Sequence, residues 1–501
     1  MDTDKNLERV KEVKGLRWLN RLRKRTEEIP EWASTFHPQR LPCQMEGDEL
    51  YGSFNLCQKV VFTNNEAWII RFPIPGKTSE AHLDEKVAGE VAVLRLLHEQ
   101  TNIPVPKVKA WGLASDNALG LGPYIMEEFI QGISLKNILR EEAEGSTLLR
   151  NDLDDKEVEI IYRQLAQFTL QLFNLNFSQI SSLPFESTHT RRPLTVTAHE
   201  IVRLGGVDVL GLRSAGFSTT KEYFDYVVEQ HWRQLLGQLN SVEDEDDARQ
   251  KYIFFRVLKS LTNRHVWPEY NKGPFKLICD DLGLANMRVD SRERLKITGV
   301  VDFEWSYTGP AQLLGTAPWW LLQERPELWD FTPDIRARFL RHLGLFKRVL
   351  EQEEKHTPEY QSKELSKLVE RSETEGTMWY HMVLQGFFHG PDSLPWEQLK
   401  DHTPDWDLLA AGISEDDIQS FVAAKMEHLK LHDERLKRTE TTYDEMLAGK
   451  WSIQGFIDEV EAPYKHAAEI PDGVIGSSVA AEMAHLKLHD GVAEKDGDRP
   501  R

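Results

Sequence analysis

The spacing of apolar positions changes along the chain, and each change predicts a different kind of element. The first stretch, "MDTDKNLERVKEVKGLRWLNRLRKRTEEIPEW", has helical spacing with charge on most faces, which predicts an exposed structural helix. From Gly52 short β-type runs take over. "KVVFT" and "AWIIRFPI" read as two strands joined by "NNE", an Asn-rich turn of the hairpin kind. "LDEKVAGEVAVLRLLHEQTN" returns to helical spacing, with Val87, Val91, Leu94 and Leu97 on one face. "IPVPKVKAWG" reads as an extended connection and "GPYIMEEFIQG" as a strand ending at a glycine. Strand, strand, helix and strand over residues 51–132 predict a small lobe built on an antiparallel sheet.

Beyond Gly132 the pattern is mostly helical. "EVEIIYRQLAQFTLQLFNLNF" is long and periodic, and a polar, Pro-containing loop, "LPFESTHTRRPLT", follows it. "LICDDLGLANMRVD" interrupts the helices with two apolar, strand-like stretches around a polar loop, and "KITGVVDFEWSYTGP" reads as a buried strand breaking into another loop. Helical spacing resumes from "PWWLLQERPELWD", where Trp319 and Trp320 are expected in the core of a large lobe. The fold class is therefore expected to be α+β. Residues 1–50 form a helical extension, 51–132 the small lobe, 133–440 a large helical lobe and 441–501 a C-terminal extension whose end, "GVAEKDGDRPR", looks disordered. "HLKLHD" occurs at His428–Asp433 and at His485–Asp490; two copies make no solenoid, and two solvated helix faces are expected rather than a metal site.

Composition narrows the classes of function. A chain of 501 residues, 40% hydrophobic and 10% aromatic, can bury a large core. Its formal charge of −20 argues against a nucleic-acid binder, because phosphate backbones select basic surface. No apolar run is long enough to span a bilayer, so no membrane partner is expected. Cys43, Cys57 and Cys279 make neither a metal pattern nor a disulfide framework. The expected setting is cytoplasmic. A mitochondrial alternative rests on the basic residues from Arg21 to Arg25, against which Asp2, Asp4, Glu8 and Glu12 weigh.

The chemistry gathers in the interrupted region. Adjacent carboxylates at Asp280 and Asp281 are costly inside a fold unless a cation or a reaction needs them. Asn286 and, after the apolar run "ITGVV", Asp302 follow in order. Singly each would read as a turn or loop residue; in this order and strand context they suit phosphoryl transfer from a nucleotide. That reaction needs a carboxylate to orient and deprotonate an acceptor hydroxyl, here Asp281, and hard oxygen ligands for magnesium, here Asn286 and Asp302.

On these residues the chain resembles the aminoglycoside phosphotransferase family, in its fungal phosphotransferase-like branch, whose fold is similar to that of protein kinases. The family's catalytic loop, H-x-D-x-x-x-x-N, is similar to Cys279-Asp280-Asp281-Leu282-Gly283-Leu284-Ala285-Asn286, and its later strand to Val300-Val301-Asp302. The resemblance implies ATP and Mg2+ as cofactors. It implies a nucleotide loop at "YGSFNLCQKVVF", with Gly52, Ser53 and Asn55 near the phosphates. It implies a phosphate-binding cation at Arg71, or alternatively Lys59, oriented by Glu90 on the following helix. A hinge at "YIMEEFIQG" would offer backbone groups of Met126, Glu127 and Phe129 to the adenine edge.

Two departures matter. Arg71 stands where lysine is commoner, and Cys279 where the family carries histidine. Cysteine is a weak donor, so it would support the loop less well, and a buried, inert thiol is expected. The expected function is an ATP- and Mg-dependent phosphotransferase acting on a hydroxyl of an unidentified small molecule. The alternative is a kinase-shaped binding or scaffold protein without turnover. A metal-dependent hydrolase built on Asp280, Asp281, Asp302 and Glu304 is the weaker third reading, because neither motif contains histidine. The acidic segments "DFTPD" and "HTPDWD" are expected to shape acceptor selectivity, and the oligomeric state is not legible.

Overall fold

The computed structural model describes residues 3–465, apart from 142–147, 184–190, 212, 327–328, 330–333, 361 and 387–392. Its small lobe is an antiparallel sheet in the order β1 (Cys43–Met45), β3 (Asn55–Phe62), β4 (Ala67–Pro73), β6 (Tyr124–Glu128), β5 (Val108–Gly112), with β2 (Leu50–Tyr51) also paired to β3. Asn65 turns the β3–β4 hairpin at φ 67°, the left-handed region that asparagine tolerates. Register places Cys57 opposite Arg71 and Arg71 opposite Ile125. Period-2 alternation then divides the sheet. Leu56, Val60, Phe62, Trp68, Ile70, Phe72, Tyr124 and Met126 cluster on one face, leaving Cys57, Lys59, Arg71 and Glu127 on the other.

The apolar face is covered by the N-terminal segment, which corrects the expectation of an exposed helix. α1 (Lys5–Arg25) and α2 (Ile29–Phe36) bury Trp18, Leu22, Ile29 and Trp32 against the sheet. Trp18 Nε1 donates to the Leu121 carbonyl at 2.8 Å, and Trp32 meets Tyr124 edge-on at 4.6 Å. Burying each such side chain contributes roughly 1.5–3 kcal/mol, so residues before 51 belong to the small lobe's core. The opposite stripe of α1, Val10 and Val13, packs on Phe456, Ile457 and Val460 of the C-terminal helix α16 (Ile453–Lys465).

α3 (Leu83–Gln100) buries the four positions expected from its spacing and joins the two lobes. Val87 and Val91 pack on Ile125 of the sheet, whereas Leu94 and Leu97 enter the large-lobe core. The large lobe begins with β7 (Ile133–Ser134), α4 (Leu135–Leu139) and α5 (Asp155–Asn174), followed by α6 (Val196–Glu200), α7 (Thr220–Gly237) and α8 (Glu245–His265). Two small strand sets follow: β8 (Lys276–Cys279) with β11 (Ser306–Gly309), and β9 (Met287–Val289) between β7 and β10 (Ile297–Val300). The remaining helices are α9 (Ala311–Leu314), α10 (Ile335–His356), α11 (Glu364–Thr374), α12 (Thr377–Gln385), α13 (Leu394–Asp401), α14 (Trp406–Ala411) and α15 (Glu415–Leu447).

α15 runs straight through the boundary drawn at residue 440, and its Phe421 packs 4.7 Å from Tyr252 of α8. The first "HLKLHD" copy lies in α15 but is not simply solvated, because His432 is buried with Nε2 3.4 Å from Asp4 Oδ1. The second copy, the chain end, most of "DFTPD" and residues 184–190 of the polar loop lie outside the described residues. Among the described residues no helix is long and apolar enough to cross a membrane.

Candidate active site

Between the lobes lies a cleft of about 480 Å³. β8 delivers Asp281 to it, and the turn after Asp281 is fixed locally. Leu282 N–H donates to the Cys279 carbonyl (3.1 Å), Asn286 N–H to the Gly283 carbonyl (3.1 Å) and Asn286 Nδ2 to the Asp281 carbonyl (2.9 Å). Val301 N–H donates to the Asn286 carbonyl at 2.9 Å, which ties the loop to the end of β10. Asp302 then turns the chain at φ 67°, and Asp281, Asn286 and Asp302 all line the same cleft.

Arg71 enters from β4 and fills the centre. Its Nη1 donates to Glu90 Oε1 at 2.5 Å and its Nη2 to Asp302 Oδ1 at 2.6 Å. Burial opposes its charge, yet Glu90 and Asp302 hold its pKa well above the ordinary value. Beside it, the Lys86 ammonium of α3 pairs with Glu304, which also accepts from Asn55 Nδ2 at 2.8 Å. Glu127 completes the group, 3.8 Å from Arg71, and burial pushes its carboxyl up to about 7. Burial and the neighbouring Glu304 likewise raise Asp302, with Arg71 opposing. Four carboxylates thus share two cations.

Most of the expected site residues meet here, but not all in the expected manner. Gly52 and Ser53 form the tip of the β2–β3 hairpin over the cleft, closed by Gly52 N–H on the Asn55 carbonyl at 2.8 Å. Asn55 lines the cleft, but its amide is committed to Glu304 and to Lys86, whose Nζ lies 3.3 Å from Asn55 Oδ1. The Met126 side chain is fully buried on the opposite face of the sheet, because the pleat turns it away, which bears on the side chain and not on the backbone groups expected to meet a base edge. The amides of Glu128 and Phe129 donate to the Lys107 and Ala67 carbonyls, both at 3.0 Å, so they are not free for a base edge. Lys59 pairs with Glu46 and lies 4.2 Å above the Phe129 ring, outside the cleft wall.

Three contributors were not expected. Arg325 Nη2 donates to Asp281 Oδ1 (2.9 Å) and to the Asp280 carbonyl (3.0 Å). Its guanidinium lies 4.7 Å above the Trp319 ring, so Trp319 belongs to the cleft wall while Trp320 is core. Lys86 is the third; its position one turn before Glu90 on a helix was the available signal. Arg325 sits in the charged run "QERPE", which has no distinguishing local pattern.

The loop's remaining oddities are structural. Asp280 is buried and accepts from Val196 N–H (3.3 Å) and Gln385 Nε2 (3.2 Å), anchoring the loop to α6 and to the C-terminal end of α12. Burial pushes its carboxyl up to about 6. Cys279 is a free thiol that burial pushes up to about 12, which fits an inert residue. "HTPDWD" contributes nothing to the cleft wall among the described residues; its Asp405 pairs with Arg264 at 2.5 Å.

Known proteins give the following likenesses. "Altered inheritance of mitochondria protein 9, mitochondrial" of Debaryomyces hansenii is 28% identical over 138 residues, 27% of this chain and 20% of that protein. The protein of the same name from Zygosaccharomyces rouxii is 24% identical over 127 residues, 25% of this chain and 20% of its own. The match thus spans about a fifth of the length of these curated relatives. A microcompartment-associated aminopropanol kinase is 15% identical in its solved structure, with TM-score 0.37, covering 82% of this chain and 98% of that one. The amicoumacin kinase hAmiN, solved with AMP-PNP, Ca2+ and Ami, is 12% identical with TM-score 0.36, covering 80% and 90%. At that level of superposition nothing about ligands transfers. The family model described as "Phosphotransferase enzyme family", APH, matches residues 58–346, more than half of the sequence, and the chain belongs to that family with its kinase-like α+β fold.

Proposed function

We propose that the chain transfers the terminal phosphoryl group of ATP, with magnesium, to a hydroxyl of a small molecule. The observation that carries this reading is the convergence of Asp281, Asn286 and Asp302 in one cleft with the buried Arg71–Glu90 pair. The donor set fits a hard divalent cation. Glu90, Asp302 and Glu304 offer carboxylate oxygens within 4.8 Å of one another, with Glu127 beside them 3.8 Å from Arg71. Asn286 and Asp302 would hold magnesium, which when bound neutralises charge on the phosphates.

The chain's own groups do the rest. Asp281 Oδ1 is held by Arg325 at 2.9 Å and Oδ2 accepts only a long contact from Asn286 Nδ2 at 3.4 Å, so Oδ2 is the oxygen that accepts the proton of the acceptor hydroxyl. The hydroxyl oxygen forms a bond to the terminal phosphorus as the bridging P–O bond breaks. ADP leaves, and the proton passes from Asp281 to solvent. Arg71 steadies phosphate oxygens with its planar fork.

Titration of the full chain with ATP tests this directly. Binding is expected only with magnesium, and Asp302→Asn is expected to remove that dependence. Asp281→Asn is expected to keep nucleotide affinity while ending phosphate transfer in a broad screen of hydroxyl compounds. Absence of magnesium-dependent affinity in the unaltered protein rejects the reading.

One observation favours the alternative of a kinase-shaped binding module. Arg71 already occupies Asp302 and Lys86 already occupies Glu304, so both carboxylates are neutralised within the protein. Magnesium-dependent nucleotide binding with no turnover across the screen would decide for it. A small-molecule partner, rather than nucleic acid or membrane, accords with the net charge of −20. The relatives' name favours the mitochondrial over the cytoplasmic location, which fractionation of tagged protein would decide.

A further inference from the structure

A second cavity, of about 500 Å³, shares no residue with the cleft. It lies where α1, the loop from β4 into α3, the C-terminal end of α7 and α16 come together. Its volume is in the range of small-molecule sites. The approach of its walls is close: Gly76, at φ +88°, lies so near α1 that a Cβ there would meet the Lys11 carbonyl oxygen at 2.4 Å.

The wall is rich in charge, and nearly all of that charge is paired. Lys14 holds Glu80 (3.0 Å) and Glu461 (2.7 Å), Arg203 holds Glu200, and Arg233 holds Glu229 (3.1 Å). The Asp208 carboxylate accepts the N–H groups of Leu210 (3.1 Å) and Gly211 (2.8 Å). Lys11 differs: its ammonium is buried with no hydrogen-bond partner among the described residues. The hydroxyl of Thr78, itself fully buried, is likewise unpartnered. Both residues line the cavity, whose remaining wall includes the apolar side chains of Leu7, Val207 and Leu236.

An unpaired buried ammonium is costly, and burial accordingly holds the Lys11 amine down to about 7, with Arg203 acting in the same direction and Glu200, Asp4 and Glu8 against it. Lysine has a long, flexible stem, so a small rotation carries the ammonium from the wall into the cavity. We propose that this cavity binds a small amphipathic organic acid, its anionic head group taken by Lys11 and Thr78 and its apolar body laid against Leu7, Val207 and Leu236. Such a ligand sits at the junction of the N-terminal helix with both lobes, in a cavity separate from the interlobe cleft.

Calorimetric titration of the full chain with octanoate, phenyl phosphate and inorganic phosphate tests the proposal. Octanoate or phenyl phosphate is expected to bind with a dissociation constant below about 1 mM, and inorganic phosphate more weakly because it has no apolar body. Whichever of the two binds better identifies the head group. Lys11→Met removes the charge at similar volume; it is expected to weaken binding about tenfold or more and, without ligand, to raise the melting temperature. Val207→Trp fills the apolar part and is expected to block binding with Lys11 intact. Failure of both acids to bind, equal binding by Lys11→Met, or a lowered melting temperature for ligand-free Lys11→Met overturns the proposal.

Discussion

Arg71 and Asp302 are hydrogen-bonded at 2.6 Å across the interlobe cleft, and the same guanidinium holds Glu90 at 2.5 Å. One side chain therefore fixes the helix α3, the sheet and the turn after β10 relative to one another. Breaking a buried pair from one side leaves the other charges uncompensated, at a cost of about 3–5 kcal/mol. Arg71→Met is expected to lose that much stability in urea denaturation. Adding Asp302→Asn should restore part of it, because one stranded carboxylate is then gone; strict additivity of the two changes would show that the contact carries no coupling energy.

Arg325 bears on rate more than on stability. Between Asp281 and Asn286 the loop reads Leu-Gly-Leu-Ala, with no cation, and Arg325 supplies one 2.9 Å from Asp281. Its guanidinium holds the carboxylate and lines the cleft, so on the proposed reaction it would meet developing phosphoryl charge. Arg325→Gln is expected to lower the transfer rate by about 10²-fold, the scale of losing one electrostatic donor, with little change in ATP affinity. An equal fall in both quantities would assign Arg325 to ground-state binding instead.

What the sequence disclosed and what it hid divide along physical lines. The β3–β4 hairpin, α3 and the loop from Asp281 to Asn286 were legible because each is specified by neighbours in the chain: alternation, helical spacing, and a short loop closing on itself. Burial of α1 was hidden. Its residues are mostly charged, and Trp18 and Leu22 are buried only because a distant sheet offers them an apolar face. Trp319 and Arg325 were hidden for the same reason, since a cation stacked on a ring and reaching back to residue 281 leaves no period to read. Neither strand alternation nor loop spacing could reveal that the amide of Asn55 is committed to Glu304, 249 positions away.

Asp280 is penalised for its charge. Burial raises its carboxyl from 3.8 to about 6, so the folded state favours the protonated form. The associated stability is present below pH 3.8 and is lost as pH rises through about 6. A carboxyl displaced that far corresponds to about 3 kcal/mol, and Asn forfeits part of this because its amide can accept from Val196 N–H or from Gln385 but not equally from both. Asp280→Asn is expected to gain about 1–2 kcal/mol at about pH 8 relative to the parent and nothing once the pH falls below 3.8. A uniform loss at both pH values would mean that the charge is offset within the loop.

The N-terminal anchor combines two opposite responses to pH. Burial works against the His432 charge, but the hydrogen bond and charge of Asp4 override it and raise its pKa above 6.5. Asp4 is lowered below 3.8 despite burial, through His432 and Tyr464, whose hydroxyl lies 2.5 Å away. The His432 contribution is full below pH 6.5 and disappears as pH rises through the raised value; that of Asp4 is full above 3.8 and disappears as pH falls through the lowered value. The long 3.4 Å contact of His432 with Asp4 makes this a modest term, and about 1 kcal/mol is expected. Melting between about pH 6 and 9 should show this decline in the parent and a flatter profile in His432→Gln.

Gly76 tests whether α1 is docked as tightly as its packing requires. At φ +88° any side chain is strained, and a Cβ would meet the Lys11 carbonyl oxygen at 2.4 Å, a backbone atom that cannot swing aside. Gly47 isolates the first effect, since it has φ +75° with nothing within 4 Å of an added Cβ. Gly47→Ala is therefore expected to cost about 1 kcal/mol from backbone strain alone. Gly76→Ala should cost at least twice that, about 2–3 kcal/mol, and should expose the α1 segment to limited proteolysis before the rest of the chain. Equal costs for the two substitutions would mean that α1 yields without loss, and that Trp18 and Leu22 hold the sheet less firmly than their burial implies.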